Sequence, residues 1–83
     1  MTTSQKRQHR LENNALGAAQ EAMRAARRYP AFHSAHEGYA VLLEEVDELW
    51  REIKVSHELR LTRAGRREAM QVAAMALRML AEL

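Results

Sequence analysis

Glutamate residues recur at helical spacing in two segments of this 83-residue chain. The first segment, residues 44–48, has the pattern E-E-x-x-E, and the second, residues 68–71, has the pattern E-x-x-Q. Side chains three or four positions apart lie on the same side of an α-helix. Mg²⁺ prefers oxygen ligands, and carboxylates from facing helices can converge on one ion. The two segments are therefore a candidate magnesium site, although glutamates on a helix are also typical of a solvated surface.

Length and composition limit the class of protein that can carry such a site. A lone domain of this size buries only about 60 to 65% of the surface that its unfolded chain exposes, so we expect a partner subunit or a bound metal to add stability. The absence of cysteine fits a reducing compartment. The chain has no apolar run of the roughly 18 residues that span a membrane, and its first ten residues lack the apolar stretch of a signal peptide. We therefore expect a cytoplasmic protein with no membrane contact.

The charge balance argues against nucleic acid as a partner. The net charge of +2 comes from 13 basic and 11 acidic residues, which is a small imbalance rather than a large positive field. No recognised nucleic-acid-binding motif accompanies the arginines.

The hydrophobic pattern predicts an all-α chain of about three helices that starts with a short tail. Residues 1–10 are polar and basic with no hydrophobic period, so we predict a flexible basic tail followed by a single domain over residues 11–83. Apolar residues at three-and-four spacing predict a first helix over residues 11–28. Pro30 is expected to stop it, because the residue before a proline avoids the helical conformation.

The second helix is predicted from a capping box and a hydrophobic seam. Ser34 and Glu37 have the S-x-x-E spacing that marks a helix start. Apolar residues then follow at spacings of three and four, as Tyr39, Leu42, Val46, Leu49 and Ile53. This seam is predicted to pack against neighbouring helices. At about 100° per residue, three carboxylates flank the seam, namely Glu45, Glu48 and Glu52.

The third helix is predicted over residues 66–82, after a turn near Gly65 and a short helical piece around residues 57–61. From Ala69 onward this helix is apolar nearly all round. Three helices in one chain can cover only one of its two apolar sides. We therefore predict that a second subunit covers the other side and that the protein is a homodimer or a higher oligomer.

The two acidic segments resemble the paired metal motifs of the MazG-like all-α nucleoside triphosphate pyrophosphohydrolases, whose pattern is E-E-x-x-E, a variable loop and then E-x-x-D. The likeness extends upstream to Phe32 and His33, which precede Glu45 at the same distance as a Phe-His pair in the dCTP pyrophosphatase branch, so it covers residues 32–83. Members are helical dimers or tetramers that cleave a nucleotide between its α- and β-phosphates, with Mg²⁺ as the usual cofactor. The resemblance therefore implies a nucleoside triphosphate as the substrate.

By this resemblance Glu45, Glu48 and Glu68 bind Mg²⁺, and Glu44 is a further ligand or a base that positions water. Gln71 stands where the family has aspartate. Its amide oxygen can still face the ion, but one negative charge is lost. We expect weaker metal binding, recruitment of another carboxylate, or loss of catalysis with the fold retained.

Four further residues are candidate substrate contacts. His33 matches a position near the base pocket of the related branch, and the only tryptophan, Trp50, could stack on a base. Lys54 and Arg67 lie beside or in the loop between the acidic segments, where they could reach the phosphates. The alternative interpretations are an exposed polar side chain for His33, core or interface packing for Trp50, and a solvated basic loop.

Two functions of different classes follow from the sequence. The first is a Mg²⁺-dependent pyrophosphohydrolase of nucleoside triphosphates. The alternative is a non-catalytic MazG-like helical dimer that serves as an interaction or nucleotide-sensing module. Gln71 separates the two, because Gln71→Asp should raise activity if the site is a weakened catalyst.

Overall fold

The computed structural model describes residues 1–83 and contains three α-helices and no strand. Helix α1 spans Thr3–Arg28, α2 spans Ala35–Val55 and α3 spans Arg63–Glu82. Helix α3 lies between the other two and packs against both, whereas α1 and α2 do not pack against each other. The predicted all-α class with three helices is thus confirmed. No helix has the length and apolar character needed to cross a membrane.

Helix α1 begins at Thr3, eight residues before the predicted start at Leu11. A capping box explains the difference, since Gln5 N–H donates to the Thr2 hydroxyl at 3.1 Å and the Gln5 side chain accepts from Thr2 N–H at 2.7 Å. The segment expected to be a tail is therefore helical, although all of residues 1–10 are exposed. The predicted end is confirmed, because Tyr29, the residue before Pro30, is extended.

Helix α2 begins at the predicted cap, but its glutamate has a different partner. Glu37 N–H donates to the Ser34 hydroxyl at 3.1 Å. The Glu37 carboxylate does not return to Ser34; it accepts from His33 N–H at 3.4 Å and lies 3.0 Å from His33 Nδ1. These contacts lower the pKa of Glu37, the side-chain hydrogen bond to His33 being the largest cause.

Helix α3 begins at Arg63, three residues earlier than predicted, because Thr62 is its cap. The Thr62 hydroxyl accepts from Gly65 N–H at 3.0 Å. Gly65 therefore lies in the first turn of the helix rather than in the preceding loop. Residues 57–61 form no helix, so the short helical piece predicted there was wrong.

A buried arginine ties the α1–α2 connection to the end of α3. Arg78 is only 4% exposed. Its guanidinium donates to Pro30 O at 3.1 Å and to Glu82 at 2.8 and 3.1 Å, and its carbon Cζ lies 4.3 Å from the centre of the Phe32 ring. Phe32 N–H donates to the same carboxylate at 2.9 Å. The charged groups of Arg78 and Glu82 thus both have hydrogen-bond partners, as burial requires. The α1–α2 connection is held in place through Phe32, which packs with Ala22, Ala74 and Met75 in the small core.

The chain leaves much of its surface uncovered. Only 8 of 83 residues are buried. The radius of gyration is 14.3 Å, against about 12 Å for a compact domain of this length. The exposed area is 6,700 Å², against roughly 5,000 Å² for a typical folded monomer of this mass.

Helix α2 does not present its apolar seam to α3, contrary to the sequence prediction. The predicted seam residues Tyr39, Val46 and Ile53 are exposed, and only Leu42 and Leu49 are half-buried. Because α2 packs only on α3, its facing side is the less exposed one, which comprises Gly38, Val41, Leu42, Glu45, Glu48, Leu49 and Glu52. The exposed side carries an apolar row at spacings of four and three, here named the α2 stripe: Tyr39, Leu43, Val46, Trp50 and Ile53.

Candidate metal centre and adjoining cleft

Three of the predicted metal ligands meet between α2 and α3. Glu45 and Glu48 lie one turn apart on α2, and Glu68 lies in the second turn of α3. Each offers a carboxylate oxygen, and these oxygens all lie within 4.8 Å of one another. All three residues are half-buried and none pairs with a basic side chain. Glu45 and Glu48 lie close to Glu68 because the carboxylate side of α2 faces α3.

The proximity of these carboxylates perturbs their protonation. Burial raises the pKa of Glu45, and the negative charges of Glu48 and Glu68 raise it further. Burial also raises the pKa of Glu68, with additional increases from Glu48 and Glu52 that Arg67 partly offsets. Both shifts have the sign expected for like charges held together with partial loss of water. A divalent cation at this position would remove the repulsion.

The donor set suits a hard cation. The three groups supply only carboxylate oxygens, with no thiolate and no imidazole among them. Oxygen ligands favour Mg²⁺, Ca²⁺ and Mn²⁺ over metals that prefer nitrogen or sulfur. Partial exposure leaves access for water and phosphate oxygens, which usually complete magnesium sites. The residues present therefore fit a hard divalent cation, of which Mg²⁺ is one example.

Gln71 lies one turn beyond Glu68 and contacts helix α1. Its Nε2 donates to Glu21 Oε1 at 3.1 Å, and the other oxygen of Glu21 pairs with Arg24. The sequence prediction missed Glu21 because it lies 50 positions from Gln71 and outside both acidic segments. Position 71 is thus linked to an α1 carboxylate rather than carrying one itself.

A cleft of about 520 Å³ is lined by Glu45, one of the three clustered carboxylates. Its walls come from the last turns of α1, the α1–α2 connection, and one side each of α2 and α3. Two predicted catalytic residues, Glu44 and Glu45, lie on its wall with Gln71. The cations and aromatic residues that line it are Arg24, Arg28, Tyr29, Phe32, His33 and Arg78.

The structure separates the four predicted substrate contacts. His33 lines the cleft, paired with Glu37. Trp50 is 57% exposed and belongs to the α2 stripe. Lys54 is exposed in the last turn of α2, and Arg67 lines a different groove, between α1 and α3. Only His33 of the four is brought to the cleft that contains Glu45.

Comparisons of the chain with protein-family models, with curated proteins and with solved structures gave no match. The family resemblance consequently rests on the spacing of the acidic residues.

Sequence reasoning did not select the α1 residues of the cleft. Arg24 and Arg28 are typical cations for the last turns of a helix, where they interact favourably with the helix dipole. Tyr29 marks the stop before Pro30. Nothing in their spacing relative to residues 44–48 indicates proximity, since only the packing of α1 and α2 on opposite sides of α3 creates the cleft.

Proposed function

We propose that this protein is a Mg²⁺-dependent nucleoside triphosphate pyrophosphohydrolase of the MazG-like type. The observation that carries the proposal is the convergence of Glu45, Glu48 and Glu68, from two acidic segments distant in sequence, on one half-buried position. The reaction would hydrolyse the bond between the α- and β-phosphates, with water as the second reactant. The products are a nucleoside monophosphate and pyrophosphate.

Each acidic residue has a role in this proposal. Glu45, Glu48 and Glu68 hold the ion, which when bound neutralises phosphate charge and favours deprotonation of water. Glu44 lines the cleft beside Glu45, and in this proposal its carboxylate orients a water molecule or accepts its proton. Gln71 contributes no charge, and we expect the ion to bind less tightly than it would with aspartate at this position.

We also propose that the protein is a homo-oligomer, at least a dimer, in which a second copy covers the α2 stripe. The surplus exposed area of roughly 1,700 Å² per chain, relative to a typical monomer of this mass, is as large as obligate dimer interfaces require. The stripe has the four-and-three spacing of a coiled-coil seam. A second copy would therefore bury Tyr39, Val46 and Trp50, which this chain alone leaves exposed.

One observation favours a second candidate function, a non-catalytic helical dimer. Gln71 lacks the carboxylate of the family pattern, and its amide is engaged by Glu21. A dimer that binds a nucleotide without cleaving it would need the cleft but not the full charge of the metal site. Turnover is what distinguishes the two functions.

Release of pyrophosphate from a panel of canonical and modified nucleoside triphosphates tests the proposal. We expect Mg²⁺-dependent release that Glu45→Ala and Glu48→Ala abolish. Asp47→Ala is the matched control, because Asp47 lies on the same helix between these residues in sequence but is exposed. Absence of release across the panel, or release unaffected by both cluster substitutions, would reject the hydrolase.

A further inference from the structure

Of the three arginines that line the cleft, two come from α1 and one from α3, and none comes from the loop between the acidic segments. Arg24 and Arg28 are four positions apart, lie on the same side of α1, and line the same cleft as Glu44 and Glu45. The cleft thus has carboxylates on its α2 wall, and its α1 wall carries two guanidinium groups beside the carboxylate of Glu21. A ligand that occupies it would meet both.

The third arginine of the cleft, Arg78, already has hydrogen-bond partners. Arg78 is buried, and its guanidinium donates to Pro30 O and to both oxygens of Glu82. In contrast, Arg24 has 65% of its side chain exposed and pairs only with its helical neighbour Glu21. Arg28 lies over the ring of Tyr29, with 5.7 Å from its Cζ to the ring centre, and forms no ion pair. Arg24 and Arg28 are therefore the two cations of the cleft that can take a new anionic partner.

The loop cations are placed less favourably for the same ligand. Arg67 is close enough to Glu68 to lower the pKa of that carboxyl group, but it lines the groove between α1 and α3 and not the cleft. Lys54 lies outside the cleft. A phosphate chain bound beside Glu45 would therefore lie in the same cleft as Arg24 and Arg28.

We propose that Arg24 and Arg28 bind the phosphate chain of the substrate. Neither residue belongs to the two acidic segments. The identity of the ligand as a nucleoside triphosphate rests on the proposed function, whereas the position of the phosphate site rests on the cleft. Arginine suits this role because its planar guanidinium offers paired donors to phosphate oxygens and stays charged. When the ligand binds, the ion pair between Arg24 and Glu21 breaks and Arg24 pairs with a phosphate oxygen instead.

Calorimetric titration with inorganic tripolyphosphate and Mg²⁺ tests the phosphate site without knowledge of the base. We expect Arg24→Ala and Arg28→Ala each to weaken binding about tenfold or more, as the loss of a charge-assisted hydrogen bond implies. Arg28→Lys should recover part of the loss because it keeps the charge. Arg27→Ala is the matched control, since Arg27 is an exposed residue of the same helical turn that does not line the cleft. Unchanged melting temperatures would show that the variants remain folded.

The outcomes separate this inference from the proposed hydrolase. If Lys54→Ala or Arg67→Ala weakens tripolyphosphate binding and the α1 substitutions do not, the α1 site is refuted while pyrophosphate release can still establish the enzyme. If the α1 substitutions weaken binding but no nucleotide in the panel is hydrolysed, the phosphate site stands and the hydrolase is rejected. Failure of the unmodified protein to bind tripolyphosphate would overturn the phosphate site outright.

Discussion

Replacement of Glu48 by glutamine should stabilise the metal-free protein and remove its response to Mg²⁺. Burial is the largest cause of the raised pKa of Glu45 and of Glu68, and Glu48 raises the pKa of both further through a hydrogen bond and through its negative charge. Two unit charges 4.8 Å apart repel by about 1 kcal/mol in bulk water and by about 3.5 kcal/mol at an effective dielectric constant near 20. The carboxylates are half-buried and remain in contact with solvent. We therefore expect a net gain of about 1 to 2 kcal/mol, nearer the aqueous limit.

Unfolding in EDTA and in saturating Mg²⁺, at one fixed protein concentration, measures both effects. For a domain of this size, a gain of 1 kcal/mol raises the melting temperature by about 4 to 8 °C. Mg²⁺ at about a hundred times its dissociation constant should stabilise the unmodified protein by about 2.7 kcal/mol and Glu48→Gln by much less. Asp47→Asn is the control, because it removes the same charge from an exposed neighbouring position.

The pH dependence gives a second test of the same reasoning. A carboxyl group whose pKa is raised by folding binds its proton more tightly in the folded state than in the unfolded state. In EDTA, stability should therefore fall as the pH rises from the unfolded-state pKa through the raised pKa of Glu45 and Glu68, and this fall should be smaller in Glu48→Gln. If Glu48→Gln destabilises the metal-free protein, or keeps the full response to Mg²⁺, the repulsion on which the metal site is argued does not exist.

Three other perturbations address different parts of the molecule. Arg78 lowers the pKa of Glu82, so this pair stabilises the fold above the unfolded-state pKa, and the contribution is lost as the pH falls through the lowered pKa. Glu82→Gln should therefore lower the melting temperature at neutral pH and reduce the decline of the melting temperature in acid. Val46→Glu places a charge in the α2 stripe and should convert the proposed oligomer to monomers, which sedimentation would detect together with a red shift in the emission of Trp50. An unchanged sedimentation coefficient would exclude the stripe as the interface. Gln71→Asp should tighten Mg²⁺ binding several-fold by calorimetry and raise pyrophosphate release, whereas equal or weaker binding would show that position 71 does not act on the ion.

The sequence predicted local features where a few neighbouring residues decide the outcome. Pro30 ends α1 and Ser34 caps α2, as the backbone chemistry of proline and serine requires. The earlier start of α1 was missed because its first turns carry no hydrophobic period. Their structure depends instead on the cap formed by Thr2 and Gln5.

The orientation of α2 could not be predicted from its hydrophobic pattern. Spacing of three and four identifies an apolar side, but it does not say whether the partner of that side belongs to the same chain or to another. The prediction placed Tyr39, Val46 and Ile53 against neighbouring helices, and within this chain they are exposed. The cleft could not be predicted from the sequence either, because Arg24 and Arg28 line it together with Glu44 and Glu45 only through the packing of α1 and α2 on α3.

Helix α2 has two surfaces on nearly opposite sides, the carboxylate side and the α2 stripe. In an isolated chain the first lacks a cation and the second lacks an apolar partner. The carboxylate side and the α2 stripe are roughly 150° apart at 100° per residue. A rotation of α2 by that angle would bury Val46 and Trp50 against α3 and expose Glu45 and Glu48 to water, which would relieve the repulsion but withdraw Gly38 and Val41 from the side that faces α3. The observed orientation is favourable when a cation neutralises one surface and a second copy covers the other. Because both partners stabilise the same orientation, each should raise the affinity for the other, and we expect removal of Mg²⁺ to weaken association through the α2 stripe.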